Sequence, residues 1–182
     1  MIQPILLAHL KNIHIYIADY SVISVNKINV LCVGSATSID RMYRRKAEQR
    51  TGKKTYWGAA ELPYYDSEKL NIINNQQFAN AIHLVASHTA PSFAYPTSKE
   101  NIATWIAADE GLNQLLDKER AIIDQLFANL QKWQPNITDW YYGHFHEHKL
   151  EQHYGINFHL CDCGEINEFR KVSRKQINEI KP

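Results

Sequence analysis

The chain has 182 residues, 20 basic and 19 acidic side chains for a net charge of +1, and 45% apolar and 11% aromatic residues. That length suits one domain with a real core, and the balanced charge excludes both a strongly basic nucleic-acid binder and an acidic disordered chain. No apolar run reaches the ~20 residues that cross a bilayer, and Met1 to Leu10 (MIQPILLAHL) lacks the basic start and cleavage site of a signal peptide.

Ile13, Ile15 and Ile17 alternate with His14 and Tyr16, which predicts a strand with one buried face. Val22 to Val25 and Ile28 to Val33 are two further strands, joined only by Asn26 and Lys27, so a tight hairpin is expected. Regularity is lost from Ser35 to about Pro63. From Arg41 to Lys54 this stretch carries Arg41, Arg44, Arg45, Lys46, Arg50, Lys53 and Lys54 against Glu48 alone, a locally basic excursion. Asp66 to Asn80 predicts a short helix with Leu70, Ile73 and Phe78 facing inward.

Ile82 to Ala86 is a buried strand that runs into Ser87-His88-Thr89-Ala90-Pro91, leaving His88 on the loop beyond its end. Ser98 reads as a helix N-cap, with Glu100 and Asn101 in the first turn and Ile102, Trp105 and Ile106 on one face. After Gly111 the apolar residues Leu112, Leu115, Leu116, Ile122, Ile123, Leu126, Phe127 and Leu130 recur at helical spacing, predicting an amphipathic helix that Pro135 closes. Ile137 to Tyr142 is a strand ended by Gly143. Lys149 to Tyr154 and Asn157 to Leu160 form a hairpin around Gly155, and residues 170–182 are a polar tail. Interleaved strands and helices predict an α/β or α+β fold with a mixed sheet.

Chemistry-bearing residues gather at strand ends. His88 follows one buried strand, and His144 and His146 follow another in Tyr142-Gly143-His144-Phe145-His146. Loops beyond the carboxyl ends of strands are where open α/β sheets place their sites. In extended backbone residues i and i+2 point the same way, so His144 and His146 are expected to reach one metal or two adjoining ones. Gly143 leaves room for a ligand. Cys32, Cys161 and Cys163 are an odd set that makes no disulfide framework, so reduced thiols and a cytoplasmic location are expected. His148 and His153 read as surface residues.

Val85 to Pro91 (VASHTAP), followed later by Gly143 to His146 (GHFH), resembles the C-terminal half of the calcineurin-like metallophosphoesterases. Val33 to Arg41 (VGSATSIDR), Trp57 to Glu61 (WGAAE) and Phe158 to Glu165 (FHLCDCGE) resemble further segments of a bacterial and phage branch of that family. The resemblance covers about Asn12 to Phe169. It implies that residues 1–169 are the C-terminal part of a metallophosphoesterase domain, a partial sandwich with helices packed on β-sheets and its N-terminal portion missing. It also implies hydrolysis of phosphate mono- or diesters with two divalent ions (manganese, iron or zinc). His88 and His144 would bind one ion and His146 the other.

The family opens with D-x-H, then G-D-x-x-D, then G-N-H-[DE], and none of these occurs here. The implied ligand set is therefore incomplete. A separately encoded N-terminal half is expected as a partner, and little activity is expected from the chain alone. No catalytic residue is assigned. Arg41, Arg44 and Arg45 are expected to border the cleft and attract a phosphorylated substrate of unspecified identity; neither a membrane nor a nucleic acid is indicated as a partner. Two other readings stay open: a non-catalytic remnant or binding module, and a mononuclear three-histidine zinc hydrolase with an open position for water.

Overall fold

The computed structural model describes residues 17–96, 102–165 and 167. The expected strand around Ile13 and Ile15, the Ser98 cap with Glu100 and Asn101, and the tail 170–182 lie outside the described residues. Strand β1 (Ser21–Val25) and strand β2 (Ile28–Val33) form the expected antiparallel hairpin. Asn26 and Lys27 take φ of 49° and 65°, the left-handed pair that a two-residue I′ turn requires. Strands β3 (Leu84–Ser87), β4 (Asp139–Tyr142), β5 (Lys149–His153) and β6 (Ile156–Leu160) follow. All six belong to one sheet in the order β1-β2-β3-β4-β6-β5. Its four central strands β2, β3, β4 and β6 run parallel, and β1 and β5 are antiparallel edges.

The parallel register explains which residues are core. Leu31, Val85, Trp140 and Phe158 form one continuous row across the four central strands, and each is 0% exposed. Val33, Ser87, Tyr142 and Leu160 form the next row on the same face. Because side chains alternate with a period of two, Cys32, Ala86, Tyr141 and His159 line up on the opposite face, where all four are only half-buried.

Among the described residues, four α-helices accompany the sheet: α1 (Arg41–Thr51), α2 (Ser67–Ile72), α3 (Ile102–Ala108) and α4 (Leu112–Trp133). Helix α4 has the length and stripe that the sequence predicts, and it buries Leu112, Leu116, Ile123, Leu126, Phe127 and Leu130. Phe127 reaches Trp140 and Phe158 at ring distances of 6.1 and 6.2 Å, which seats α4 on the first row of the sheet. Helix α2 is capped by Asp66, which accepts from the Lys69 N–H at 2.9 Å, and continues as a π-turn over Ile73–Gln77. Leu70 and Ile73 are buried and Phe78 packs against the core, as the sequence indicates.

The expected loss of regularity from Ser35 to Pro63 is corrected by α1. This helix has no aliphatic stripe to announce it, and among its residues only Arg41 is buried. Its composition, RMYRRKAEQRT, is rich in good helix formers. Gly52 ends it in a left-handed conformation, its N–H bonded to the Glu48 carbonyl at 2.8 Å. The helix is held by charge rather than by apolar burial. Arg41 donates two parallel hydrogen bonds to Asp109, between α3 and α4, one of them at 2.6 Å. Among the described residues no helix is long and apolar enough to cross a membrane.

The row-and-helix packing makes a stability prediction. Leu126, fully buried, loses roughly 2–5 kcal/mol on change to Ala. Leu150, 62% exposed on β5, loses at most about 0.5 kcal/mol on the same change. Urea denaturation of both variants checks this; equal losses would show that the core is not where the sheet register puts it.

Candidate functional site

The parallel arrangement delivers four strand ends to one edge of the sheet. The loop after β2 brings Ser35, Ala36, Ser38, Ile39 and Asp40; the loop after β3 brings His88. The loop after β4 brings Gly143 to His146, and the loop after β6 brings Cys161 to Cys163. All of these line one cleft of about 1050 Å³, which Trp57, Glu61, Tyr95 and Trp105 also line. This is the crevice outside the carboxyl ends of the strands, where α/β sheets bind ligands.

The three predicted histidines all line this cleft, and they divide into two directions. His88 and His144 face each other edge to face, with ring centroids 5.0 Å apart. His146 turns instead to Cys163, its Nδ1 2.7 Å from the thiol sulfur. The expected extended geometry for Gly143 to His146 is therefore corrected. Strand β4 ends at Tyr142, and His144 and His146 take left-handed φ of 71° and 51°. Phe145, 4% exposed, sits between them and packs edge to face on Tyr95 at 4.8 Å. The buried phenyl ring anchors the loop while its two neighbours project into the cleft. Ser35, across the cleft, is also left-handed at φ 69°. Strained non-glycine residues persist where the surroundings over-determine them, and they cluster at functional sites.

Packing around its ring pushes the His88 imidazole below its ordinary pKa, although part of the residue is exposed, and the neighbouring His146 acts in the same direction. A neutral imidazole keeps a lone pair available for a metal. Gly143 has an ordinary negative φ, and an added Cβ would approach nothing nearer than the Cys161 carbonyl oxygen at 4.0 Å. Glycine is thus not imposed there by backbone strain or by a steric clash.

The basic stretch reaches the cleft through Arg44, while Arg41 and Arg45 lie off its lining. Arg44 donates to Asp40 at 2.7 Å, with both side chains partly exposed. The guanidinium of Arg41 is committed to Asp109, and that of Arg45 lies 4.9 Å over the Tyr56 ring.

Two features went unread in the sequence. The first is a donor group on the loop after β6: ligand atoms of His146, Asp162 and Cys163 lie within 4.8 Å of one another, all three residues exposed. The sequence signal was available, since Asp162 and Cys163 stand two and three residues beyond a strand of alternating burial, on the same kind of strand-end loop as His88. The second is Glu119. It stands on the apolar stripe of α4 at helical spacing from Leu116 and Ile123, and it is 0% exposed. Its carboxylate accepts from the Thr37 N–H at 2.6 Å and from the Thr89 hydroxyl at 2.7 Å. One buried acid thus ties the loop after β2 to the loop after β3, next to His88. An acid on an otherwise apolar stripe is the signal that would have found it.

Imidazoles, a thiol and carboxylates facing one crevice are a donor set that fits a divalent first-row cation. Compared with known proteins, the chain matches no family model, no curated protein and no solved structure.

Glu119 generates a prediction with a definite sign. Burial is the larger influence and raises its pKa above the ordinary 4.5, against the Thr89 and Thr37 hydrogen bonds. A raised carboxyl pKa means that the folded chain holds a proton that the unfolded chain has released. Its contribution therefore favours folding below about pH 4.5 and weakens as pH rises through the folded value. Glu119→Gln keeps an acceptor for the Thr37 N–H and removes this pH dependence. Glu119→Leu orphans both donors and costs on the order of 1–3 kcal/mol for each. Stability curves for both variants between pH 4 and 8 test this; an unchanged pH slope in the Gln variant would refute the assignment.

Proposed function

We propose that the chain is the C-terminal part of a calcineurin-like metallophosphoesterase domain, and that its cleft hydrolyses phosphate mono- or diesters. The observation that carries this reading is the meeting of His88, His144 and His146 in one crevice at the ends of parallel strands. The motif resemblance names the same three residues in the same order along the chain. Their division into a His88–His144 pair and a His146 group favours two adjoining metal positions over a single three-histidine site.

A bound divalent cation supplies positive charge against phosphoryl oxygens and activates water. The chain's own residues hold and orient. The imidazoles of His88 and His144 offer nitrogen donors, and Phe145 and Glu119 fix the loops that carry them. Arg44 presents a guanidinium to a phosphate oxygen; to do so it exchanges part of its contact with Asp40, an exposed pair of low cost to break. Trp57 and Trp105 give the rim an apolar surface for the organic part of the ester. The family's opening carboxylate motifs are supplied by a complementing segment.

Hydrolysis of a phosphomonoester and a phosphodiester, with added manganese, is measured for the chain alone and with a segment carrying D-x-H, G-D-x-x-D and G-N-H-[DE]. The expected result is little turnover alone and clear turnover with the segment. His88→Ala or His144→Ala then lowers kcat/KM by about 100-fold or more, beyond the usual effect of losing an outer-shell partner. Turnover by the lone chain that the segment does not improve would favour the mononuclear zinc alternative. Turnover indifferent to both histidine changes would end the reading. In the complemented enzyme, Arg44→Ala is expected to lower kcat/KM and flatten its salt dependence, whereas Arg45→Ala leaves both unchanged. Steady-state kinetics at two ionic strengths separate these outcomes.

A further inference from the structure

We infer that Cys163 and Asp162 bind a divalent cation together with His146, and that the thiolate makes this a position for zinc rather than manganese. The inference deepens the proposed function by naming the metal at one of its positions, and it rests on that reading for the presence of a cation beside His146. Its own basis is the grouping of one nitrogen, one sulfur and one carboxylate oxygen within 4.8 Å.

The three donors come from two separate loops. His146 follows β4, and Asp162 and Cys163 follow β6, whose parallel pairing brings the loops side by side. The β6 loop is a built turn. Glu165 accepts from the Asp162 N–H at 2.9 Å and pairs with His148 Nδ1 at 2.9 Å, and the Cys163 N–H donates to the Asp162 carboxylate at 2.7 Å. Gly164, at φ 77°, closes it. His146 and Cys163 already touch at 2.7 Å. Around a tetrahedral ion, bonds of about 2.3 Å to sulfur and 2.1 Å to nitrogen place those two atoms about 3.6 Å apart. The pair therefore opens by roughly 1 Å to admit the ion, which exposed side chains do without disturbing the core.

Three protein ligands leave the fourth position of a tetrahedral ion open toward the cleft, the arrangement of catalytic rather than structural zinc. Thiolate is a soft donor that favours zinc and cobalt over manganese, which lies lowest in the divalent affinity order. Binding also releases the thiol proton, since the thiolate is the ligand. Cys161 is not part of the group: it is half-buried, its thiol points to the His159 carbonyl oxygen at 3.6 Å, and burial raises its pKa.

The test titrates cobalt(II) into the full chain and reads the near-ultraviolet thiolate-to-cobalt charge-transfer band. The expected result is a band that saturates, is displaced by zinc and not by equimolar manganese, vanishes in Cys163→Ser and survives in Cys161→Ser. Asp162→Asn keeps the band and weakens zinc binding by about tenfold or more. The inference is overturned if the wild-type chain shows no band, if Cys163→Ser retains it, or if Cys161→Ser abolishes it. Hydrolysis by the complemented enzyme is scored separately. Turnover with manganese and no cobalt band sinks the zinc position and spares the phosphoesterase reading; a cobalt band without turnover under any complement does the reverse.

Discussion

The buried carboxylate of Glu119 is the constraint around which the cleft is organised. On α4 it occupies a place where a leucine would continue the stripe, and a leucine would contribute apolar burial without a desolvation cost. The acid instead satisfies one buried N–H and one buried hydroxyl, from Thr37 and Thr89. Those residues stand three and one positions beyond Gly34 and His88, at the roots of two of the four loops that line the cleft. The fold thus exchanges some core stability for fixed loop geometry. Its neighbours record the charge: the Tyr95 phenol is pushed up to about 12, by burial first and by Glu119 second. Arg120, 4.2 Å over the Tyr95 ring, offsets part of that field from solvent.

Tyr95 links this brace to the histidine loop. Its ring packs on Phe145 at 4.8 Å, and Tyr142, one residue before Gly143, donates its hydroxyl to the Ala94 carbonyl at 2.8 Å. The Cys161 N–H bonds the Tyr142 carbonyl at 2.8 Å, so the loop after β6 hangs from the same strand end. The left-handed backbone at His144 and His146 costs of order 1–3 kcal/mol at each residue, and such a conformation persists only against firm anchors. Here the anchors are a buried phenyl ring, two tyrosines and a parallel strand pair. Each belongs to the apolar core or the ladder, and Tyr95 and Phe145 also line the cleft that the histidines enter.

What was legible in the sequence follows from the kind of interaction involved. The hairpin at Asn26-Lys27, the stripe of α4 and the buried central strands were readable because apolar periodicity and turn chemistry are local. Helix α1 was not, because a two-pronged bond from Arg41 to a distant Asp109 replaces apolar burial there, and charged periodicity reads as solvated loop. The positions of His88, His144 and His146 at strand ends were readable, but their orientations were not. Alternation along an extended strand assumes that the strand continues, and here it stops at Tyr142 and the chain turns left-handed. The roles of Arg44 and Arg45 differ although the residues are adjacent, because only tertiary structure aims one at the cleft and the other at Tyr56.

Charge balance connects the donor groups to the substrate on the proposed reading. Two divalent ions bring four positive charges to a partly desolvated crevice, and imidazole ligands, which carry no negative charge, offset none of them. Asp162 and the Cys163 thiolate offset two. Asp40 also lines the cleft, but its charge is matched by Arg44, so that pair adds nothing to the balance. Glu61, also on the lining, offsets a third, which leaves one positive charge beside an open coordination position. That residue can be met by carboxylates from a complementing segment or by the dianion of a phosphomonoester, and each weakens the pull on the other. A site fully neutralised by added carboxylates favours a diester, which carries a single negative charge. A site left with net positive charge favours a monoester. On the proposed reading, substrate choice would follow from how many carboxylates a complementing segment contributes, rather than from the shape of the aromatic rim alone.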